Sequence, residues 1–191
     1  VTYFWNGNNS VPLEGERWLE IPSDTLPFEE RPWMKAAEIT DALITELRTG
    51  KYRHARVNYA NGDMVGHTGV RDAAVIAVEA VDLAIHRLLP VIRQLDGALF
   101  VTADHGNADE MIEKDKKSGA LVTGKDGAFK PKTSHTLNPV PAYLYVPSRP
   151  ELALAAPVAQ PGLANVAATT LELLGFAAPG MWRPSLLRVA G

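Results

Sequence analysis

The residues of this chain best suited to chemistry lie in three short segments: Asp63-Met64-Val65-Gly66-His67, Asp104-His105-Gly106-Asn107 and Ser134-His135-Thr136. They contain three of the five histidines and two Asp–His combinations in glycine-flanked turns. Asp and His provide the oxygen and nitrogen donors that divalent ions of the Mg, Mn and Zn type accept. Asp63 and His67 are four residues apart, which places both side chains on one side of a helical turn. Gly66 and Gly69 would let backbone come close to an ion. Asp104 and His105 are adjacent and point apart in an extended chain, so they share an ion only if the chain turns, as Gly106 permits. His135 needs partners from elsewhere. A reasonable partition places Asp63, His67 and His135 on one ion, with Asp104 and His105 on a second. Five ligands exceed one site with an open position and fall short of two complete ones. The count suggests a two-metal centre of which part is missing.

Either Asp–His segment alone would be weak evidence, because Asp and His are common in surface loops and at helix N-caps. Both at predicted strand ends, in a chain with so few histidines, favour metal. His54 in a charged turn and His86 beside a helix stripe have no such context and read as surface or boundary residues. Other chemistries find no support. The sequence has no Gly-x-Ser-x-Gly elbow, no phosphate-binding Gly-x-x-x-x-Gly-Lys-Ser/Thr loop and no Gly-x-Gly-x-x-Gly. None of the serines at 10, 23, 118, 134, 148 and 185 has the setting of a nucleophile.

The elements that must position these residues follow from periodicity. Val1 to Trp5 has strand composition and Asn6-Gly7-Asn8-Asn9-Ser10 is turn chemistry. A helix is expected over about 33–49, with Ile39, Leu43 and Leu47 every four residues and Gly50 as its cap. Residues 55–60 read as a strand ending at the Asn61-Gly62-Asp63 turn. The clearest helix spans about 70–95, with a stripe of Ala74, Val78, Val81, Ile85, Leu88 and Ile92, and with Pro90 as a potential kink. The apolar run 98–103 reads as a strand buried on both faces. Residues 112–133 form a polar loop or hairpin, 142–146 a strand, and 163–174 a last helix stopped by Gly175. This order predicts one α/β domain, a mostly parallel sheet flanked by helices. Ligands gather at the carboxyl ends of strands in such sheets, which lets the three segments converge.

Composition narrows the partners. Hydrophobic content of 46%, charged content of 21% and a net charge of -3 are ordinary for a soluble globular protein and give no reason to expect nucleic acid or an anionic membrane. Zero cysteines exclude disulfides and thiolate ligands and fit a reducing compartment. No run approaches the roughly 20 apolar residues of a membrane-spanning helix. The chain opens on Val1 inside a strand-like run, so it is expected to be cut from something longer.

Several strings resemble the cofactor-independent phosphoglycerate mutases of the alkaline phosphatase superfamily. They are Val1-Thr2-Tyr3-Phe4-Trp5-Asn6-Gly7-Asn8, Glu20-Ile21-Pro22-Ser23, Lys35-Ala36-Ala37-Glu38-Ile39-Thr40, residues 61–69, residues 102–108 and Thr133-Ser134-His135-Thr136. The resemblance covers essentially all 191 residues, and Pro161-Gly162-Leu163-Ala164-Asn165-Val166 is similar to the plant-like branch. It implies an alkaline phosphatase-like fold, present here as the C-terminal portion of the metal-binding phosphatase domain. Asp63, His67 and His135 would bind the first ion, and Asp104 and His105 part of the second. The nucleophilic Ser, a further Asp and the inserted transferase domain with its arginines would lie in the missing N-terminal part of the same protein. The implied reaction interconverts 3-phosphoglycerate and 2-phosphoglycerate through a phosphoserine, with no 2,3-bisphosphoglycerate. Two divalent ions are implied, Mn first and Mg, Co or Zn as alternatives, in a cytoplasmic, monomeric full-length protein. The isolated chain is expected to be inactive and to leave apolar sheet edge uncovered. Competing readings are a phosphopentomutase or metal-dependent phosphatase of the same superfamily, and a non-catalytic metal-binding module.

Overall fold

The computed structural model describes residues 6–154 and 161–189. The expected opening strand at Val1 to Trp5 lies outside the described residues. The turn that follows is present, with Gly7 and Asn8 both at positive φ.

Helix α1 spans Ala36–Arg48, starting three residues later than expected. Its fully buried Thr40 donates to Ala36 O at 2.6 Å and shares a 2.8 Å hydrogen bond with Tyr59 OH. Gly50 ends the element at φ 67, the left-handed conformation a helix exit requires. The expected strand at 55–60 does not form: no strand pairs with it among the described residues, and the chain runs irregularly into helix α2, Asn61–Gly66. The turn expected at Asn61-Gly62-Asp63 is the start of this helix instead. Asn61, 1% exposed, anchors it by donating its amide to Pro32 O at 3.1 Å and Trp33 O at 2.9 Å.

Helix α3, Arg71–Gln94, continues unbroken through Pro90. Its buried face is Ala73, Ala74, Ala77, Ala84, Leu88, Val91 and Ile92, so the stripe expected from the large side chains is rotated. Val78, expected in the core, is 52% exposed. The alanines explain this: α3 packs closely on α1 and α2, and only small side chains fit between axes at close approach. Val65 of α2 fills the resulting cluster with Ala73, Ala74 and Ala77, capped by Phe28, Met34, Ala108 and Met111.

Strand β1, Leu99–Thr102, pairs antiparallel with β2, Ala142–Tyr145, from Leu99 opposite Tyr145 to Thr102 opposite Ala142. Strand β3, Leu152–Leu154, pairs antiparallel with β4, Leu187–Val189. Both ladders among the described residues are thus antiparallel, and parallel pairs do not occur among them. β1 is only half-buried, not enclosed on both faces. Between β1 and β2, residues 112–133 form the expected hairpin-like excursion, stitched by the bridges Ile112–Pro131, Lys114–Leu121 and Thr123–Phe129. The last helix enters through a 3-10 turn, Leu163–Asn165, and becomes α4 over Val166–Leu173, with Gly175 beyond it at φ 85. Asn165 ties this end together, donating to Pro184 O at 2.7 Å and accepting from Gly162 N at 2.9 Å. No helix among the described residues is long and apolar enough to cross a membrane.

Candidate metal centre

Two elements and one loop bring the candidate ligands together. Asp63 projects from α2 and His67 caps its C-terminus, so the four-residue spacing sets both on one face, as the sequence predicts. His135 arrives from the segment that follows the excursion. Its Nε2 lies 3.0 Å from Asp63 Oδ1 and 3.1 Å from His67 Nε2, while His67 Nε2 lies 3.1 Å from the same oxygen. Among the described residues, these three make up the group of His and acidic side chains able to hold an ion together.

The donor set fits a divalent cation. Two donors each about 2.1 Å from a tetrahedral ion stand about 3.4 Å apart, close to the edges of this triangle. His67 Nδ1 sits 2.5 Å from Thr133 O. A carbonyl can only accept, so this contact puts a ring proton on Nδ1, and in the neutral imidazole that a metal ligand must be, the lone pair is on Nε2. That lone pair faces a carboxylate oxygen at 3.1 Å. Only a shared cation or proton makes such a meeting favourable. A backbone carbonyl behind a ligating imidazole is also the usual device for fixing its tautomer and orientation.

Asp104 and His105 occupy the bend after β1. The His105 ring stacks on His135 with centroids 3.7 Å apart and tilted by 21°. It lies between two carboxylates: Nδ1 is 3.9 Å from Asp63 Oδ1, and Nε2 is 3.7 Å from Asp104 Oδ1. Nδ1 is buried without a hydrogen-bond partner among the described residues. The Asp104 side chain is 83% exposed and is not part of the triangle. His105 therefore borders the first cluster, and Asp104 stands outside it. His54 and His86 are exposed and take no part in the cluster.

Two residues outside the expected ligand set hold this arrangement. Asn107, 4% exposed, donates its amide to Asp63 Oδ1 at 3.0 Å and to Asp63 O at 3.2 Å. Asp109 accepts from Thr136 Oγ1 at 2.9 Å and from Asn138 Nδ2 at 2.6 Å. Desolvation pushes the Asp109 carboxyl up, but the hydrogen bonds from Asn138 and Thr136 outweigh it and hold the group below its ordinary range. Neighbouring Glu110 is held down to about 2 by Lys114 and Lys132. The available signal was position alone: Asn107 follows the Asp104-His105-Gly106 string directly and Asp109 comes two residues later.

Known proteins share this arrangement of sequence and fold. The chain is 47% identical over 193 aligned residues to a 2,3-bisphosphoglycerate-independent phosphoglycerate mutase of Trypanosoma brucei brucei, covering 100% of this chain and 35% of the relative. It is 48% identical to a probable enzyme of that name from Leptospira interrogans (98% of this chain, 34% of the relative). A crystal structure of Leishmania mexicana phosphoglycerate mutase at low cobalt concentration superposes with a TM-score of 0.94 at 45% identity, over 99% of this chain and 35% of that one. The chain thus spans about a third of the length of these relatives, and its fold is the expected alkaline phosphatase-like one in partial form. The family model described as the Metalloenzyme superfamily matches residues 1–178, and the chain belongs to that superfamily.

Proposed function

We propose that this chain is the C-terminal portion of the metal-binding phosphatase domain of a 2,3-bisphosphoglycerate-independent phosphoglycerate mutase. In this reading Asp63, His67 and His135 hold one divalent ion, and Asp104 and His105 provide part of the ligand set of a second. The observation that carries it is the meeting of Asp63 Oδ1, His67 Nε2 and His135 Nε2 within 3.1 Å of one another. The identity of 47–48% to two mutases, across nearly the whole chain, supports the substrate assignment.

Divalent ions in such a centre offset phosphoryl charge and lower the pKa of an oxygen nucleophile. The residues of this chain do the holding. Thr133 O keeps the His67 proton on Nδ1, and the Asp63 carboxylate compensates cationic charge at the triangle. The serine that carries the phosphoryl group between the two hydroxyls of glycerate belongs to the remainder of the polypeptide, as do the residues that complete the second ion's ligand set. Manganese is the ion we assign first, and cobalt serves as a spectroscopic stand-in. The complete protein acts as a cytoplasmic monomer in glycolysis and gluconeogenesis.

The test is an assay of the chain and of the complete protein that carries it, each loaded with Mn²⁺ and given 3-phosphoglycerate. The complete protein is expected to yield 2-phosphoglycerate without added 2,3-bisphosphoglycerate, and the chain alone to yield none. Turnover of pentose phosphates by the complete protein, or release of inorganic phosphate in place of the isomer, would replace this reading with a pentomutase or a phosphatase. Mutase activity of the chain alone would overturn the assignment of the nucleophile.

A further inference from the structure

We propose that Asn107 and Asp109 are positioning residues of the metal centre: Asn107 aims the Asp63 carboxylate, and Asp109 locks the His135 segment onto the segment carrying His105. The proposal rests on the reading that Asp63, His67 and His135 hold a divalent ion.

Asn107 is almost wholly buried, and both of its contacts go to one residue, through Asp63 Oδ1 at 3.0 Å and Asp63 O at 3.2 Å. The oxygen it meets is the one that faces both histidines. A carboxylate left alone rotates about its terminal torsion; an amide fixed on one oxygen and on the backbone of the same residue sets which oxygen faces the triangle. Its own Oδ1 is buried without a hydrogen-bond partner among the described residues. Burying an unpaired carbonyl is unfavourable, so a residue chosen for packing alone would be apolar here. Gly66 makes room for it, because a Cβ at that position would overlap Asn107 Oδ1.

Asp109 does the corresponding service for the second histidine. Thr136 N donates to Gly106 O at 2.8 Å, which joins the residues next to His135 and His105. Asp109 reinforces that bridge from the side by accepting from the Thr136 hydroxyl and the Asn138 amide. A Cβ at Gly106 would overlap both Thr136 Oγ1 and Asp109 Oδ1, so the bridge and the carboxylate share one space. The stacking of His105 on His135 at 3.7 Å is the result. Residues 104–109 thus carry two candidate ligands and also brace the elements that carry the other three. Residues that orient a metal ligand in this way typically change affinity about 10–100-fold when removed.

The experiment uses the complete protein that carries this chain, stripped of metal and titrated with Co²⁺, whose visible absorption reports ligand geometry. N107A, N107S, D109A and D109N are compared with the wild type and with E110Q, which alters a neighbouring ion pair. Each of the four is expected to weaken Co²⁺ binding about 10–100-fold and to alter the absorption bands, while the metal-free forms keep the wild-type circular dichroism. E110Q should bind as the wild type does. Wild-type affinity and spectrum in all four overturn the proposal. So does loss of the metal-free fold in all four, since that shows a purely structural role. D63A separates the two levels: if it too binds Co²⁺ normally, the metal site itself is misplaced. If D63A abolishes binding while the four variants do not, the bracing role alone fails.

Discussion

His67 and His135 present their Nε2 atoms to each other at 3.1 Å across 68 residues of sequence, with Asp63 Oδ1 within 3.1 Å of both. Without a cation only histidine protons can bridge these edges, and protons on both Nε2 atoms would be directed at the one Asp63 oxygen, whereas a divalent ion would engage all three donor atoms at once. The triangle is the arrangement that the proposed divalent-ion site calls for. Asp63→Ala, His67→Ala and His135→Ala should each lower divalent-ion affinity by more than the roughly 10–100-fold lost on removing a residue that only orients a ligand. Calorimetric titration with Mn²⁺ measures this. Unchanged affinity in all three would reassign the site.

His105→Ala should behave differently. Its ring lies against His135, but its Nδ1 is 3.9 Å from Asp63 Oδ1. Under the proposed two-ion reading, Mn²⁺ binding at Asp63, His67 and His135 is expected to survive in this variant of the complete protein, with loss confined to the ion that Asp104 and His105 help to hold. A variant that loses both ions together would place His105 among the ligands of the first ion.

The two halves of the site were unequally legible in the sequence. Asp63 and His67 announced themselves because helical spacing converts directly into proximity. His135 was grouped with Asp63 and His67 by ligand counting and by resemblance, not by spacing, since contacts over 72 residues leave no local pattern. The roles of Asn107 and Asp109 were hidden for a further reason: nothing in a residue type says which distant segment its side chain will hydrogen-bond. The long helix was read to within a residue or so at each end, but its buried face was not. Size suggested Val78 and Val81, whereas close packing against α1 and α2 selected Ala73, Ala77 and Ala84. Residues 55–60 have strand composition, yet composition does not supply a neighbour to pair with.

Three glycines define how tightly the site is closed. A Cβ at Gly66 would overlap Asn107 Oδ1, and one at Gly106 would overlap Thr136 Oγ1 and Asp109 Oδ1. Gly69 combines crowding by Pro131 with φ +74, a conformation that disfavours any side chain. Gly66→Ala and Gly106→Ala should each destabilise by about 1–3 kcal/mol, the usual range for overpacking. Gly69→Ala should show a loss of similar size. Gly62→Ala is the control, because its Cβ would meet nothing within 4 Å. Chemical denaturation compares the four, and equal stability of Gly66→Ala and Gly62→Ala would contradict the packing described.

Pro90 lies inside α3 and cannot donate to the carbonyl four residues earlier. A proline in a helix interior is less favourable than alanine by about 3 kcal/mol, offset in part by the stiffer unfolded chain. The residue is exposed, so its replacement leaves no cavity. Pro90→Ala should stabilise the protein by about 1–2 kcal/mol and raise the melting temperature by a few degrees. A fall in melting temperature would mean that the ring itself packs usefully between α1 and α3.

Glu110 gives the acid limb of stability a specific contributor. Lys114 at 2.6 Å and Lys132 at 2.5 Å hold its carboxyl at about 2, against an ordinary value of 4.5. A carboxylate depressed in the folded state stabilises that state above its unfolded pKa, because the unfolded chain binds the proton more tightly. The contribution is complete above about pH 4.5 and disappears as the pH falls through about 2. Glu110→Gln removes it without changing the shape of the side chain. The midpoint of urea denaturation should therefore separate wild type from variant at neutral pH, with the gap closing between pH 4.5 and 2. High salt should narrow the gap at every pH, since the group is only partly shielded from solvent. A gap that stays constant down to pH 2 would show that the two lysines do not set the charge state of Glu110.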